Sequence, residues 1–470
     1  MKKLFVFVTV VLILAAVAVG IFLATFNADL YRPLVVGKLQ EALGVPVKLE
    51  KISLGWRGGV VLSLKKLSVY PEPKGIYTDL NQRGKPSLQI GEISLLVRPI
   101  PLLKKKLEIA SVALIQPRVR LSRGVGGAFQ MEGIPFPPEK KPPSEQTTPP
   151  SSQTVPSGTP SLPSRPPASS PEAMALSIDR IEVEQGVIQI SDSGLKPPAQ
   201  WTMDRVFLQA GLKEDQVDLK SFSAQIGEGK VTGSGKAENL KSQAKIQFKI
   251  TAQKLPIQSL LPVPEGGPHL TGELSGSFQG TAQGQTPEIL SHSVSGDGKI
   301  QVSRPVLVNL NVLQEVFKQI SIIPGLVETL QSRLPESYRE KLTAQDTVFE
   351  SIDLSMKVGQ GALLFENLRL VSDTFSLTGT GRLGMDSSLS AQLQLKISPE
   401  LSAAIVQSVK EFHSLAGSDG RIGFPVKIEG ILPRVTVGPD LSYLTSHLVV
   451  NKVGDLLGNL LEKALEKSGK

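Results

Sequence analysis

The stretch LEIASVALIQPRVRLSR, residues 107–123, shares its apolar pattern with LSIDRIEVEQGVIQISD, residues 176–192. Leu107, Ile109, Val112, Leu114, Val119 and Leu121 coincide with Leu176, Ile178, Ile181, Val183, Ile188 and Ile190, and Pro117 falls where Gly186 stands. The first eight positions recur as VKLEKISL from Val47 and as LQIGEISL from Leu88. Each copy alternates apolar and polar residues, the mark of a strand with one buried face. Each also skips a beat after its third residue. Ile109 and Val112 are three apart, so a regular strand would send them to opposite sides. A β-bulge at Ala110-Ser111 returns both to one face and bends the strand. Two short strands joined by a tight turn are the alternative, but two linking residues without Gly or Asn make a poor hairpin.

Period two continues through the rest of the chain. Val206, Leu208 and Ala210 show it, as do Ala244, Ile246, Phe248 and Ile250; Ile352, Leu354, Met356 and Val358; Leu389 to Ile397; and Phe424, Val426 and Ile428. Gly-rich segments such as GEGKVTGSGK read as turns between antiparallel strands. Helical spacing interrupts at Leu34 to Leu43, at Leu310 to Ile320, at Leu326 to Leu334, at Leu401 to Phe412 and over residues 441–470. The last carries an apolar face with Leu456, Leu457, Leu460 and Leu461, read either as a cap on the sheet or as a docking face. Roughly 300 residues at about 13 per strand and turn give about 23 strands, and at about 4.8 Å per row a sheet about 110 Å long. Open sheets rarely exceed about ten strands without curling. The expected fold is therefore mainly β: a long, twisted antiparallel sheet curled so that its apolar face lines a groove.

Residues 4–26, LFVFVTVVLILAAVAVGIFLATF, carry no charge and follow Lys2 and Lys3. A helix of roughly 23 residues spans about 35 Å, enough for a bilayer core. A signal peptide has a shorter apolar region, and here the run continues past the small residues Ala16-Val17-Ala18 to Phe26. The expectation is one uncleaved inner-membrane span with residues 1–3 in the cytoplasm and the bulk in the periplasm, although Arg32 and Lys38 partly balance Lys2 and Lys3. Residues 135–173 are Pro, Ser and Thr with almost no large apolar side chain, so they read as a disordered linker interrupting a continuous structure. It divides a β region at 27–134 from another at 174–440, which holds a helical insert at 305–342. Cysteine is absent, which excludes disulfides and thiolate metal sites. The net charge of +8 is dispersed and no basic patch interleaves with aromatics, so nucleic acid is not an expected partner.

No catalytic constellation emerges, and no cofactor is expected. His269, His292, His413 and His447 are scattered without partners at usable spacing. GTGRLG, from Gly379, satisfies G-x-G-x-x-G but leads into a strand, and TGSGK, from Thr232, lacks the earlier glycine of a Walker loop. Glycine-rich turns between strands account for both.

The N-terminal apolar run followed by LQEALGVPVKLEKISLGWRGGVVLSLKKLSVY resembles the opening of the AsmA family of envelope proteins. The phrase at 107–123 and its repeat at 176–192 resemble that family too, as do TVFESIDLSMKVGQGALLFENLRLVSDTFSLTGTGRLGMD and GFPVKIEGILPRVTVGPDL. The resemblance covers most of the chain through weak motifs in a persuasive order. It implies an inner-membrane-anchored periplasmic protein linked to outer-membrane assembly, with a fold similar to the chorein-type bridge-like lipid transfer proteins. The expected partners are phospholipid or another acyl lipid, the inner membrane and an envelope-assembly protein. Expected groove lining is Val47, Leu49, Ile52, Leu54, Leu88, Ile90, Ile93, Leu95, Leu107, Ile109, Val112, Leu114, Leu176, Ile178, Ile181 and Val183. An anchored scaffold that recruits a partner without lipid is the alternative.

Overall fold

The computed structural model describes residues 27–71, 85–98, 108–123, 129–132, 177–195, 198–260, 266–320, 325–432 and 434–448. The expected membrane span at 4–26, the linker at 135–173, and Leu107, Leu176, Leu456, Leu457, Leu460 and Leu461 lie outside them. Among the described residues no helix is long and apolar enough to cross a membrane.

The alternating segments form one twenty-stranded sheet. At its first edge β1 (Val47–Lys48) and β2 (Lys51–Trp56) pair in succession along β3 (Val60–Val69). Then come β4 (Leu88–Val97) and β5 (Ile109–Arg123), with the short β6 (Phe129–Met131) continuing the row of β4. The order proceeds through β7 (Ser177–Asp192), β8 (Ala199–Lys213), β9 (Gln216–Ile226), β10 (Gly229–Glu238), β11 (Ala244–Pro256), β12 (His269–Gly284) and β13 (Ser295–Val308). β14 (Thr347–Val348) and β15 (Ser351–Gly359) share a row, followed by β16 (Ala362–Val371), β17 (Phe375–Gly384), β18 (Ser388–Ile397), β19 (Gly423–Ile431) and β20 (Arg434–Pro439). Three rows thus hold two strands each, leaving seventeen rows. At about 4.8 Å per row the sheet measures roughly 77 Å across its rows, shorter than the expected 110 Å because its strands are longer than the sequence estimate assumed.

The sheet is mixed rather than purely antiparallel, because β5 and β7 run parallel. Their twelve paired positions run from Ile109↔Ile178 to Arg123↔Asp192 at constant offset, so the two matching phrases lie side by side in register. Parallel neighbours need a long return connection, which residues 132–176 supply. The linker therefore does not divide the sheet. The two phrases also bulge together. Leu96 faces Ser111 and Val97 faces Ile109, leaving Ala110 unpaired, while Asp179 and Arg180 together oppose Gly211. In the copy at Val47 the skip is instead the break between β1 and β2, opposite Lys66 and Leu67.

A second break crosses the sheet. Lys66, Gln116 and Gln185 adopt φ of 53°, and Gly91 stands between Lys66 and Gln116 in the register. Arg205, Lys254 and Arg304 repeat the device in β8, β11 and β13, with φ of 49–51°. Left-handed backbone costs a non-glycine residue about 1 kcal/mol. The gain is in facing: Val112 and Leu114 before Gln116, and Pro117 and Val119 after it, all meet apolar residues of β4, and Leu121 meets Met131 of β6.

Helices close both ends. At the first rows a 3-10 turn, Ala28–Tyr31, leads into α1 (Arg32–Leu43), which carries Pro33 in its first turn and is capped by the left-handed Gly44. Asp29 Oδ1 accepts from Ile52 N at 3.0 Å and Arg32 Nη1 donates to Glu50 O at 2.6 Å, so side chains occupy backbone groups of the edge strand. Further along, α2 (Pro287–His292) fills the turn from β12 to β13. At the last rows α3 (Val312–Lys318), α4 (Leu326–Arg333), α5 (Glu336–Thr343), α6 (Pro399–Ser408) and helical residues 441–448 form a plug. Phe317 meets Phe412 edge-on at 6.1 Å inside it. Its buried Asn311 donates to Lys341 O and Ala344 O and accepts from Gln314 N. Gln319 Nε2 of the plug reaches Val437 O of β20 at 2.7 Å, guarding the other sheet edge.

Two predictions follow from this construction. The return from β6 to β7 must cover roughly 40 Å, about twelve extended residues. Trimming the 132–176 connection to about twenty residues leaves β5–β7 amides protected from hydrogen exchange, whereas trimming it to about six exposes them. Asp440 accepts from Lys427 Nζ at 2.9 Å and from the N–H groups of Tyr443 and Ser442, which together lower its pKa, the lysine contributing most. A lowered carboxylate pKa stabilises fully above the unfolded value of about 3.9 and is lost as pH falls through the folded value. Amide exchange at 441–448 rises in acid below that value, and Asp440→Asn removes the pH dependence.

Candidate functional site: an unsealed apolar sheet face

One face of the sheet is apolar from end to end. A single line of register partners passes from Leu62 and Leu95 through Val112, Ile181, Ala210, Leu219, Gly235 and Phe248 to Gly280, Gly296, Val358, Leu363, Leu383 and Leu389. Burial along it is uneven. At the first rows Val35, Val36 and Leu39 of α1 pack over Val47, Leu49, Ile52 and Ile90, all buried. At the last rows the plug seals Leu377, Leu393, Leu395, Ile397, Phe424 and Val426. Between these cores Val206, Ala210 and Ala224 are buried, but Val112, Ile181, Val183, Phe222, Phe248 and Phe278 are only half-buried, and Ile250 is 42% exposed. Among the described residues the apolar face is only partly covered in its middle.

The expected lining residues consequently divide. Val47, Leu49, Ile52 and Ile90 are core beneath α1, with Leu54, Leu88, Ile93 and Leu114 packed against it. Leu95, Ile109, Val112, Ile178, Ile181 and Val183 belong to the open part. α1 covers the first copy because Val35, Val36 and Leu39 project from one helix face directly after the 3-10 turn.

Glycine occupies many positions on the open face. Gly233, Gly235, Gly276, Gly280, Gly296 and Gly298 lie within β10, β12 and β13 and share a face with Phe248 and Phe278. GSGK and GTGRLG are therefore strand interiors, not turns, since their glycines recur with period two. A Cβ on Gly276 would meet Lys299 O at 2.5 Å, and one on Gly379 would meet Gln392 O at 2.1 Å. Only glycine admits that approach of neighbouring backbones. The bare positions leave room for rings: Phe248 and Phe278 are tilted at 5.8 Å, and a Cβ on Gly296 or Gly298 would strike Phe278.

The opposite face is solvated. It carries cross-strand ion pairs such as Lys357–Glu366 at 2.7 Å. Open hollows of about 920, 890 and 690 Å³ lie against the sheet; the first is lined by residues of both faces, among them Thr251, Lys299, Ile300 and Leu354, and the last by Leu219, Phe248 and Gly280 of the apolar line. Among the described residues no group of three or more His, Asp or Glu could hold a metal ion. His447 stacks on Tyr443 at 4.0 Å with its Nδ1 3.1 Å from the exposed Ser446 hydroxyl, and His269 Nδ1 contacts Gly267 O.

A single open sheet with one continuous apolar face, capped by helices at both ends, defines a class of β-scaffold whose working surface is the sheet itself. The AsmA family model matches residues 1–197 and 203–367, and the chain belongs to the AsmA family. The match stops within β16, so the plugged rows at the C-terminal end lie beyond it. No curated protein matches the chain. No solved structure matches it either.

Two glycine substitutions separate crowding from mere conformational freedom. Gly379→Ala places a methyl group against backbone and lowers stability by about 2 kcal/mol. Gly55→Ala, with nothing within 4 Å of its Cβ, changes stability by less than about 0.5 kcal/mol. Thermal unfolding of the detergent-solubilised chain reads both.

Proposed function

We propose that the chain is a non-enzymatic, single-pass protein, anchored in the inner membrane by residues 4–26 with its bulk in the periplasm. It supports outer-membrane assembly by holding phospholipid acyl chains along the apolar face of its sheet, which curls around them as a groove. The observation that carries this reading is the half-exposed apolar middle, spanning β5 and β7 to β12, with no described element over it. A soluble surface rarely leaves so long an apolar strip uncovered without a ligand or partner. Family membership supports the link to the envelope. Capping at both ends favours a carrier that holds its lipid over a conduit through which lipid runs from end to end.

Full-length protein extracted in mild detergent carries phospholipid detectable by mass spectrometry. Ile181→Asp and Phe248→Asp each place a charge on the open strip and reduce bound lipid by about tenfold or more, whereas Thr232→Asp on the polar face leaves it unchanged. A chain that carries no lipid before mutation sinks the proposal. The scaffold alternative is tested by removing residues 449–470; the cut spares 441–448, because Leu444 and Leu448 are buried in the plug. Loss of a protein partner, together with a wild-type chain that carries no lipid, would favour the scaffold.

A further inference from the structure

We infer that Leu30, Tyr31 and Leu34 lie in the headgroup layer of the bilayer and clamp the first rows of the sheet against the membrane surface. This rests on the reading of residues 4–26 as an anchor. The three side chains are 75%, 52% and 64% exposed, among the most exposed large apolar residues described. Their spacing places them together on the outer side of the 3-10 turn and the first turn of α1. The inner side of the same helix, Val35, Val36 and Leu39, packs on the core, so the helix is apolar on both sides at its start. Lys38 and Glu41, paired at 2.6 Å, continue the outer stripe with charge, so its polarity rises with distance from the apolar run.

Chain geometry supplies the occupant. Only Asn27, Ala28 and Asp29 separate Phe26, the end of the uncharged run, from Leu30. Four residue steps reach at most about 14 Å. Little of that length is free, because Ala28 is buried, Asn27 accepts from Asp29 N and Asp29 holds Ile52 N. A helix that spans the bilayer would deliver these residues to its surface, where an amphipathic tyrosine between two leucines is well placed. The edge of the sheet would then be held at the lipid surface by α1, the same helix that seals the first apolar rows.

The chain has no cysteine, so single-cysteine variants label cleanly. Tyr31→Cys, Leu34→Cys and Glu41→Cys are made in the full chain, labelled with a nitrobenzoxadiazole probe and reconstituted into nanodiscs of phosphatidylglycerol and phosphatidylcholine. The expected result is blue-shifted emission at 31 and 34, with about half of it or more quenched by brominated acyl chains, and neither effect at 41. Equal, solvent-like emission at all three positions in a chain that resists alkaline extraction overturns the inference and leaves the anchor standing. Release of the chain by alkali overturns both. A blue shift at 31 and 34 without bromolipid quenching means that protein covers them, and overturns the inference alone.

Discussion

A strand that must keep its apolar residues on one side can absorb an extra residue only if its neighbour absorbs one at the same height. A slip of one residue would otherwise turn half of the strand toward water. This constraint governs four consecutive rows, β3, β4, β5 and β7. Lys66, Gly91, Gln116 and Gln185 stand opposite one another, and the side chains on both sides of them still face the same way. The repeated phrase in the amino-acid sequence is the imprint of that requirement, since β5 and β7 lie in parallel register and must bulge together. Repetition along the chain records adjacency in space.

The distribution of stability follows from the same face. Where helices cover it, side chains are sealed and buried polar groups such as Asn311 and Thr347 find partners within the plug. Where no described element covers it, the rows rest on their backbone ladders, on glycine-assisted close approach and on pairs such as Phe248 with Phe278. The two ends act as fixed jaws and the middle as an accessible surface. Side chains from Asp29, Arg32 and Gln319 occupy backbone groups at the sheet edges, which disfavours strand addition there.

Alternation made the strands and their apolar side legible in the sequence, because period two survives any tertiary arrangement. The bulge at Ala110 was legible as well, since Ile109 and Val112 cannot otherwise share a face. The parallel partnership was not, for a strand shows the same alternation whichever way its neighbour runs. Gly233, Gly235, Gly379 and Gly381 read as turn residues because local composition masks their spacing; a glycine at every second position is a face, not a bend. Nor does the sequence distinguish Ile52, sealed under α1, from Ile181, which is open. Both satisfy the same pattern, and only the helix lying over one of them separates core from surface.

The parallel seam between β5 and β7 has a consequence for how the chain reaches this state. Most other rows form by zipping a hairpin shut, with partners a few residues apart around a turn. Ile109 and Ile178 meet only after a loop of 69 positions has closed. Loop closure is the entropic toll of folding, and non-local pairing forms late. The seam therefore carries a higher loop-closure cost than the hairpin rows on either side of it, and it joins two parts of the sheet that each have a helical core of their own.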